Sequence, residues 1–444
     1  MRIEDTDRER NVAGSEDQLF HDLKWLGIEF DESVAVGGVN LPYRQSERTK
    51  RHKDAAERLL ASGAAYRCWC SPERLSESRS LAQIEGRPPR YNRRCLHISE
   101  DDRHRLTEEH TPFVVRLLTE NDRKLEIADL FRGIVTFEGQ HLDDPILVRS
   151  DGSPTTLLAG VVDDLDMGMT HILRGEEWLA STPYQFLIFE ALGGPLPVWG
   201  HLSLLLGEDG AKLSKRTPGL TIKEMRENGT LPEAINRYLA GLGRETIAEE
   251  AGWTMKSLAE GFDPIVYRAG GTVFSMTALS AESGRLIRKL GPIELRSRLE
   301  EAYPGFWFPK DWDHSRLNRA IELASEAAET IADLRREFNR LALPSDPATL
   351  NWTETSRPID ALEAVHNALS ETVSWNESEL DAAIKDAGKK GGLKGRELFV
   401  PIRLAVTGTE HGPRLAAIAA LLGREEFLHR LATALKHIGS LIIT

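Results

Sequence analysis

Leu202-Ser203-Leu204-Leu205-Leu206-Gly207-Glu208-Asp209-Gly210-Ala211-Lys212-Leu213-Ser214-Lys215-Arg216 joins an apolar run to a lysine-rich loop. Gly207 and Gly210 open that loop, and two glycines so close together mark a turn. Two ammonium groups on a glycine-hinged loop can meet negative charge that grows on a departing phosphate group. Stabilisation concentrated in the transition state is where an electrostatic catalyst gains most. The alternative is a charged, solvated loop. No Gly-x-x-x-x-Gly-Lys-Ser/Thr loop occurs, so the P-loop route to a nucleotide is not supported.

Outward from this loop, strand and helix patterns alternate. Ile3 reads as the end of a strand. A helix is expected from Ser15, opened by a Ser15-x-x-Gln18 capping box, lined by Leu19, Leu23 and Leu26, and closed by Gly27. A second helix carries Ala55, Ala56, Leu59 and Leu60 to Gly63; Ala64 to Cys70 reads as extended, and Ser71-Pro72 as a helix start. Phe113 to Val115 and Ile146 to Val148 are β-like runs. Residues 157 to 162 read as a strand ending in Asp163 and Asp164, and 171 to 173 as another apolar run, with Tyr184 to Leu192 helical. This favours an α/β sheet carrying an insertion. From about residue 245 the pattern turns nearly all helical, through Leu317, Ile321, Ala328, Ile331, Leu334 and Phe338, then Leu415 to Leu422 and Phe427 to Leu435.

The 444 residues suffice for two or three domains with cores of their own. No apolar run approaches the roughly 18 to 20 residues of a membrane span, and charged Arg2, Glu4, Asp5 and Asp7 leave no signal-peptide core. A cytoplasmic protein with no membrane partner is expected. The formal charge of −13 argues against wholesale coating of nucleic acid while leaving room for local basic patches.

Three cysteines in such a chain argue against a disulfide framework. Cys68-x-Cys70 and Cys95-x-His97 are separated by 24 residues, and alternate residues of an extended segment point the same way. Facing each other, the two arms would present three sulfurs and an imidazole, a tetrahedral set that suits one structural Zn2+. The competing view makes Cys68 and Cys70 small core residues beside Trp69, and His97 a surface histidine.

Arg2-Ile-Glu-Asp-Thr-Asp7, Tyr43-Arg-Gln-Ser-Glu-Arg48, Val161-Val-Asp-Asp164, Ile172-Leu-Arg-Gly-Glu-Glu177 and His201-Leu-Ser-Leu-Leu205 stand in the order and approximate spacing of glutamyl-tRNA synthetases. Lys212 to Arg216 resembles the nucleotide-activating signature of class I synthetases. The cysteine spacing resembles the zinc site of that family's acceptor-stem-binding insertion. Phe399-Val-Pro-Ile-Arg403, Thr407-Gly408 and His411-Gly412-Pro413 resemble its anticodon-binding region.

The resemblance implies a Rossmann-like catalytic domain, incomplete at its N-terminus, with a zinc-containing insertion, followed by an all-α anticodon-binding region. Its expected parts are 1–65 and 151–245 for the catalytic domain, 66–150 for the insertion, 246–300 for a helical stem-contact region and 301–444 for the anticodon-binding domain. It makes Glu4 the carboxylate that receives the α-ammonium of glutamate and Arg174 the cation for its carboxylate end, with Thr156 and Gly160 shaping the pocket. Lys212 and Lys215 become the catalytic cations. Leu205, Glu177, Ser214 and Arg216 join them around ATP, with Trp178 packing near the nucleotide. Mg2+ accompanies ATP. The implied partners are L-glutamate, ATP and tRNA(Glu), with tRNA(Gln) as a second candidate, served by a monomer.

Two departures stand out. The family's first strand, with its His-Ile-Gly-His-type motif, does not precede Met1, which is read as truncation of the chain; His437-Ile438-Gly439-Ser440 matches only in letters. Thr156 stands where the family usually has tyrosine. The expected activity is glutamate–tRNA ligation, and the alternative is a catalytically silent tRNA-binding relative.

Overall fold

The computed structural model describes residues 1–6, 14–86, 88, 90–213, 219–244, 252–267, 270–352 and 355–443. Its elements run α1 (Ser15–Trp25), α2 (Thr49–Ala61), β1 (Ala65–Cys68), α3 (Pro72–Ile84), α4 (Glu100–Glu108), β2 (Val114–Leu117), β3 (Lys124–Asp129), β4 (Gly133–Glu138), β5 (Ile146–Val148), α5 (Thr156–Asp166), β6 (His171–Gly175), α6 (Thr182–Ala191), β7 (Val198–Leu202) and β8 (Leu205–Leu206). The remainder comprises α7 (Ile222–Glu227), α8 (Pro232–Gly241), α9 (Met255–Glu260), β9 (Thr272–Val273), α10 (Met276–Lys289), α11 (Pro292–Ala302), α12 (His314–Ser325), α13 (Ile331–Ala342), α14 (Pro358–Glu371), α15 (Glu377–Lys390), α16 (Arg396–Thr407), α17 (Leu415–Leu422) and α18 (Arg424–Ile443).

Local chemistry explains most boundaries. Gly27, at φ 74°, takes the left-handed turn that stops α1. Ser71 caps α3 through the amide of Arg74, with Pro72 at the first helical position. At α1 the expected capping box is absent: Gly14 is the N-cap, and Gln18 turns instead to Asp22. The segment 157–162, expected as a strand, is the middle of α5. Leu158 through Asp164 are all buried, so the polar face that would betray a helical period is missing and a fully buried helix reads like a buried strand.

Contacts divide the chain into two units. One holds residues 1–213 and 241–274, the other 214–240 and 275–444. Residues 214–240 fall with the helical unit, where buried Arg237 reaches Glu282 at 2.6 Å, the amide of Ser275 donates to the Tyr238 hydroxyl, and Gly229 meets the start of α13 through the Ile331 amide.

In the first unit β1, β2 and β5 form an antiparallel sheet, and β4-β3-β7-β6 a mixed one with β7 parallel to both β3 and β6. Residues 124–138, expected in the insertion, thus build the sheet that carries β6 and β7. One core joins Ala55 and Leu59 of α2, Leu117, Leu125 and Leu147 of the strands, Leu158 and Val161 of α5, Ile188 of α6 and Trp199 of β7. Within the insertion a smaller cluster joins Tyr66, Cys68 and Cys95, with Trp69, Tyr91 and Leu96 around them.

The second unit is helical. α14 packs on α15, α16 and α18, and α12 on α13. Phe338 of α13 is fully buried amid Phe306, Phe308 and Trp312. Among the described residues no helix is long and apolar enough to cross a membrane.

Candidate active site and cysteine cluster

The segment at Ile3 is stitched to the stretch around Tyr43–Ser46 as a short parallel bridge. Ile3 donates to the Tyr43 carbonyl at 2.8 Å and accepts from Gln45 at 3.0 Å, while the Asp5 carboxylate takes both the amide and the hydroxyl of Ser46. This fixes Arg2 and Glu4 beside α5. Arg2 Nη1 lies 2.8 Å from Asp164 Oδ1 and its Nη2 3.4 Å from Glu4 Oε1; Asp164 Oδ2 is 3.8 Å from Arg174 Nη2. Glu4 and Arg174, expected to grip opposite charges of one amino acid, are therefore the two ends of a row Glu4–Arg2–Asp164–Arg174. Glu4 is the more open end, at 42% side-chain exposure against 20% for Arg174.

Beneath the row lies a second layer. Asp163 is fully buried, with Oδ1 2.6 Å from Arg48 Nε and 2.9 Å from His52 Nε2. Arg48 continues to Asp166 at 2.9 Å. Burial pushes the Asp163 carboxyl up, but hydrogen bonds from His52 and Arg48 outweigh it and leave the carboxyl below its ordinary value. Burial is again the largest influence on Asp164; Arg2 and Arg174 do not fully offset it, and this carboxyl ends above its ordinary value. Asp163 and Asp164 lie within a helix rather than at the mouth of a strand.

Thr156 and Gly160 stand one turn apart on the same helical face as Asp164. A Cβ on Gly160 would be 3.9 Å from Arg174 Nη2, in ordinary contact. At Gly160 the face of α5 toward Arg174 therefore carries no side chain.

At the lysine loop, β8 pairs in parallel with β9, and the chain then turns so that Lys212 bridges back to Leu206, with Gly207 accepting from Gly210 at 2.9 Å. Lys212 is exposed at the tip. Ser214, Lys215 and Arg216 lie outside the described residues. Glu177 is exposed too. Trp178, expected to pack, is 41% exposed with the Arg174 guanidinium 5.6 Å over its ring.

The sulfurs of Cys68, Cys70 and Cys95 lie within 4.8 Å of one another. His97 does not join them; it is exposed, one residue past the turn Arg94–Leu96 that presents Cys95. The group aimed at the sulfurs is Tyr91, whose hydroxyl is 3.3 Å from Cys68 Sγ, 3.5 Å from Cys70 Sγ and 3.1 Å from the Cys95 amide it accepts from. Buried Arg116 stacks 4.2 Å over the Tyr91 ring. Hydrogen bonding from Cys95, then from Tyr91 and Arg116, overrides burial and pulls the Cys68 thiol down to about 4. Hydrogen bonding with Cys68, together with burial, pushes Cys95 up. Three sulfur donors and a phenol oxygen make a set that fits zinc. The signal for Tyr91 was its position four residues before Cys95.

A model of the class I tRNA synthetase (E and Q) catalytic domain matches residues 1–281, and one of an anticodon binding domain matches 285–435. A glutamate–tRNA ligase of Carboxydothermus hydrogenoformans is 37% identical over 97% of this chain and 91% of its own length. The chain belongs to the glutamate–tRNA ligase family. The ligase of Acidothermus cellulolyticus is 38% identical over 98% of this chain and 88% of its own. A crystal structure of a glutamate tRNA ligase from Elizabethkingia meningosepticum, in complex with its amino acid, covers 98% of this chain and 92% of that one with a TM-score of 0.82 at 27% identity. For a ligase of this family the α/β half followed by a helical anticodon-binding half is the expected order, and both are present.

Proposed function

We propose that this chain charges tRNA(Glu) with L-glutamate in two steps. A glutamate carboxylate oxygen attacks the α-phosphorus of ATP, forming glutamyl-adenylate and releasing pyrophosphate. A hydroxyl of the terminal ribose of the tRNA then attacks the acyl carbon and releases AMP. The observation that carries this reading is the row Glu4–Arg2–Asp164–Arg174, which offers a carboxylate and a guanidinium to the two ends of a zwitterion.

In this reading Glu4 receives the α-ammonium and Arg174 a carboxylate, while Thr156 and Gly160 leave open the face beside Arg174. The backbone at Leu205 meets adenine, and Glu177 lies near the ribose or base. Lys212 and Lys215, with Ser214 and Arg216, bear on the triphosphate; Mg2+ travels with ATP. Catalysis is positioning and charge stabilisation, without a covalent enzyme intermediate. Cys68, Cys70, Cys95 and Tyr91 would hold one structural zinc, whose contribution is to tie the strand end at Cys68 to the turn at Cys95. The proposed tRNA partner is tRNA(Glu), with tRNA(Gln) a second substrate to be tried, and the proposed setting is the cytoplasm.

The test is ATP–pyrophosphate exchange with L-glutamate, run with and without tRNA(Glu), followed by transfer of labelled glutamate to tRNA(Glu) and tRNA(Gln). Exchange above background that depends on glutamate supports the reading. Background exchange in every arm, alongside retained tRNA binding, overturns it in favour of a silent tRNA-binding protein.

A further inference from the structure

The backbone from His201 to Leu206, which leads into the lysine loop, is held by side chains from other segments. Asp129, at the end of β3, is the hub. Its Oδ1 accepts from the amides of Phe131 at 3.0 Å and Arg132 at 3.1 Å, and its Oδ2 is 2.6 Å from His201 Nδ1. Both Asp129 and His201 are almost completely buried. The tight turn that Asp129 organises aims Arg132 back across the sheet. There Arg132 Nε donates to the His201 carbonyl at 3.2 Å, and its Nη2 pairs with Glu176 Oε2. Glu176 completes the circuit, because its other oxygen accepts from the Leu204 amide at 3.2 Å.

The same circuit reaches the turn that carries Glu177 and Trp178. Glu176 begins that turn, and at its end Thr182 Oγ1 lies 3.1 Å from His201 Nε2 and 3.4 Å from the Trp178 carbonyl. Arg132 and Glu176 therefore add a side-chain tie between segments 176–182 and 201–206, carrying past Leu202 the hold that the β6–β7 pairing and the Thr182–His201 contact already give. Neither side chain is free to solvent, at 18% and 24% exposure. A guanidinium fork is suited to such a joint, since it can serve a carbonyl and a carboxylate at once.

We propose that Arg132 and Glu176 are positioning residues for ATP. By clasping the backbone on either side of Ser203 they set the height of Leu205 against Glu177 and Trp178 before the nucleotide arrives, so that binding need not order the loop. This rests on the reading of Leu205 and Glu177 as nucleotide-facing. Removing the clasp frees the backbone at Leu204 and Leu205, beyond the reach of the β6–β7 pairing, and the loss falls on ATP. Glutamate, gripped by the row at Glu4 and Arg174, is affected little, because Arg174 keeps its place through the pairing of β6 with β7 and its contact with Asp164. A pre-organised site of this kind gains affinity by reducing what binding must order.

Four variants test this: Arg132→Ala, Arg132→Lys, Glu176→Ala and Glu176→Gln, each in the full chain. Readouts are KM for ATP and for glutamate in pyrophosphate exchange, ATP affinity by calorimetry, and thermal midpoint. The alanine variants should raise KM and Kd for ATP by about tenfold, the scale of one lost charge-assisted hydrogen bond, with KM for glutamate changed less than about twofold. Glu176→Gln, which still accepts from Leu204, should recover much of the ATP affinity; Arg132→Lys, which cannot fork, should not. Equal shifts in both KM values, or a lowered thermal midpoint with unchanged ATP affinity, overturn the proposal. Lys212→Ala in the same assays separates the two levels. If it too leaves every ATP parameter untouched, the nucleotide reading itself is lost; if it impairs exchange while the clasp variants do not, only the clasp is.

Discussion

Arg2 Nη1 stands 2.8 Å from Asp164 Oδ1, so the segment at Ile3 and helix α5, far apart in sequence, meet at the carboxylate that also faces Arg174. Without Asp164 the guanidinium groups of Arg2 and Arg174 would face each other in a largely buried space, with Glu4 and Asp163 left on the side of Arg2 alone. Asp164→Ala should therefore cost about 1 to 3 kcal/mol of stability, the scale for leaving a buried donor without its partner, since Arg2 keeps Asp163 and Glu4. It should also raise KM for glutamate by about tenfold or more, since Arg174 loses the partner that fixes it. Denaturant unfolding and pyrophosphate-exchange kinetics check both; an unchanged KM for glutamate would detach this row from the amino-acid site.

Asp163 and Asp164 are neighbours with opposed titrations, and the signs follow. A carboxyl held below its ordinary value of about 3.9 stabilises the fold above that pH and withdraws its contribution as pH falls through the lowered value. A carboxyl held above it works the other way, losing stability as pH rises through the raised value. The stability difference between the parent and Asp163→Asn should accordingly widen as pH rises from the acid limb, and that between the parent and Asp164→Asn should narrow. Urea titrations at a series of pH values from about 3 to 7 measure both slopes; slopes of the same sign would refute the assignment.

Much of this was legible in the sequence where a periodic pattern or a turn residue imposed a local rule. Gly27, Ser71-Pro72, Ile146–Val148 and the helices around Ile321, Phe338 and Ile418 fall where expected, because each obeys local chemistry. What escaped was set by distance. α5 lost its helical period to burial on every side. Strands β3 and β4 lie within the expected insertion yet join β7 by non-local pairing. Arg2, Arg48 and Asp163 matter through partners more than a hundred residues away, which no spacing rule reaches. The resemblance reaches Glu4 and Arg174, whereas the Arg2–Asp164 link between them exists only in the folded chain.

Tyr91 and His97 give the cysteine cluster a direct test. Removing a sulfur should abolish binding, whereas Tyr91→Phe removes only the phenol oxygen and should weaken zinc by about tenfold or more, the range seen when a supporting group at a metal is lost. His97→Ala should leave zinc content at the parental level, since that side chain is exposed and outside the cluster. Metal analysis of the purified variants after dialysis against a weak chelator decides this. Loss of zinc in His97→Ala with retention in Tyr91→Phe would reverse the ligand choice.

Lys212 is exposed at the end of the bridge to Leu206, so its replacement should leave the fold intact and act on chemistry alone. An ammonium that meets charge developing on pyrophosphate stabilises the transition state more than the bound substrates. Lys212→Ala should then lower the rate of adenylate formation by about 100-fold, a loss comparable to removing one preorganised donor from a developing oxyanion, with KM for glutamate within about twofold of the parent. Lys212→Arg should restore part of the rate because it keeps a cation at the tip. Single-turnover pyrophosphate release measures the step directly, and a variant that lost affinity for ATP without losing rate would make Lys212 a binding residue instead.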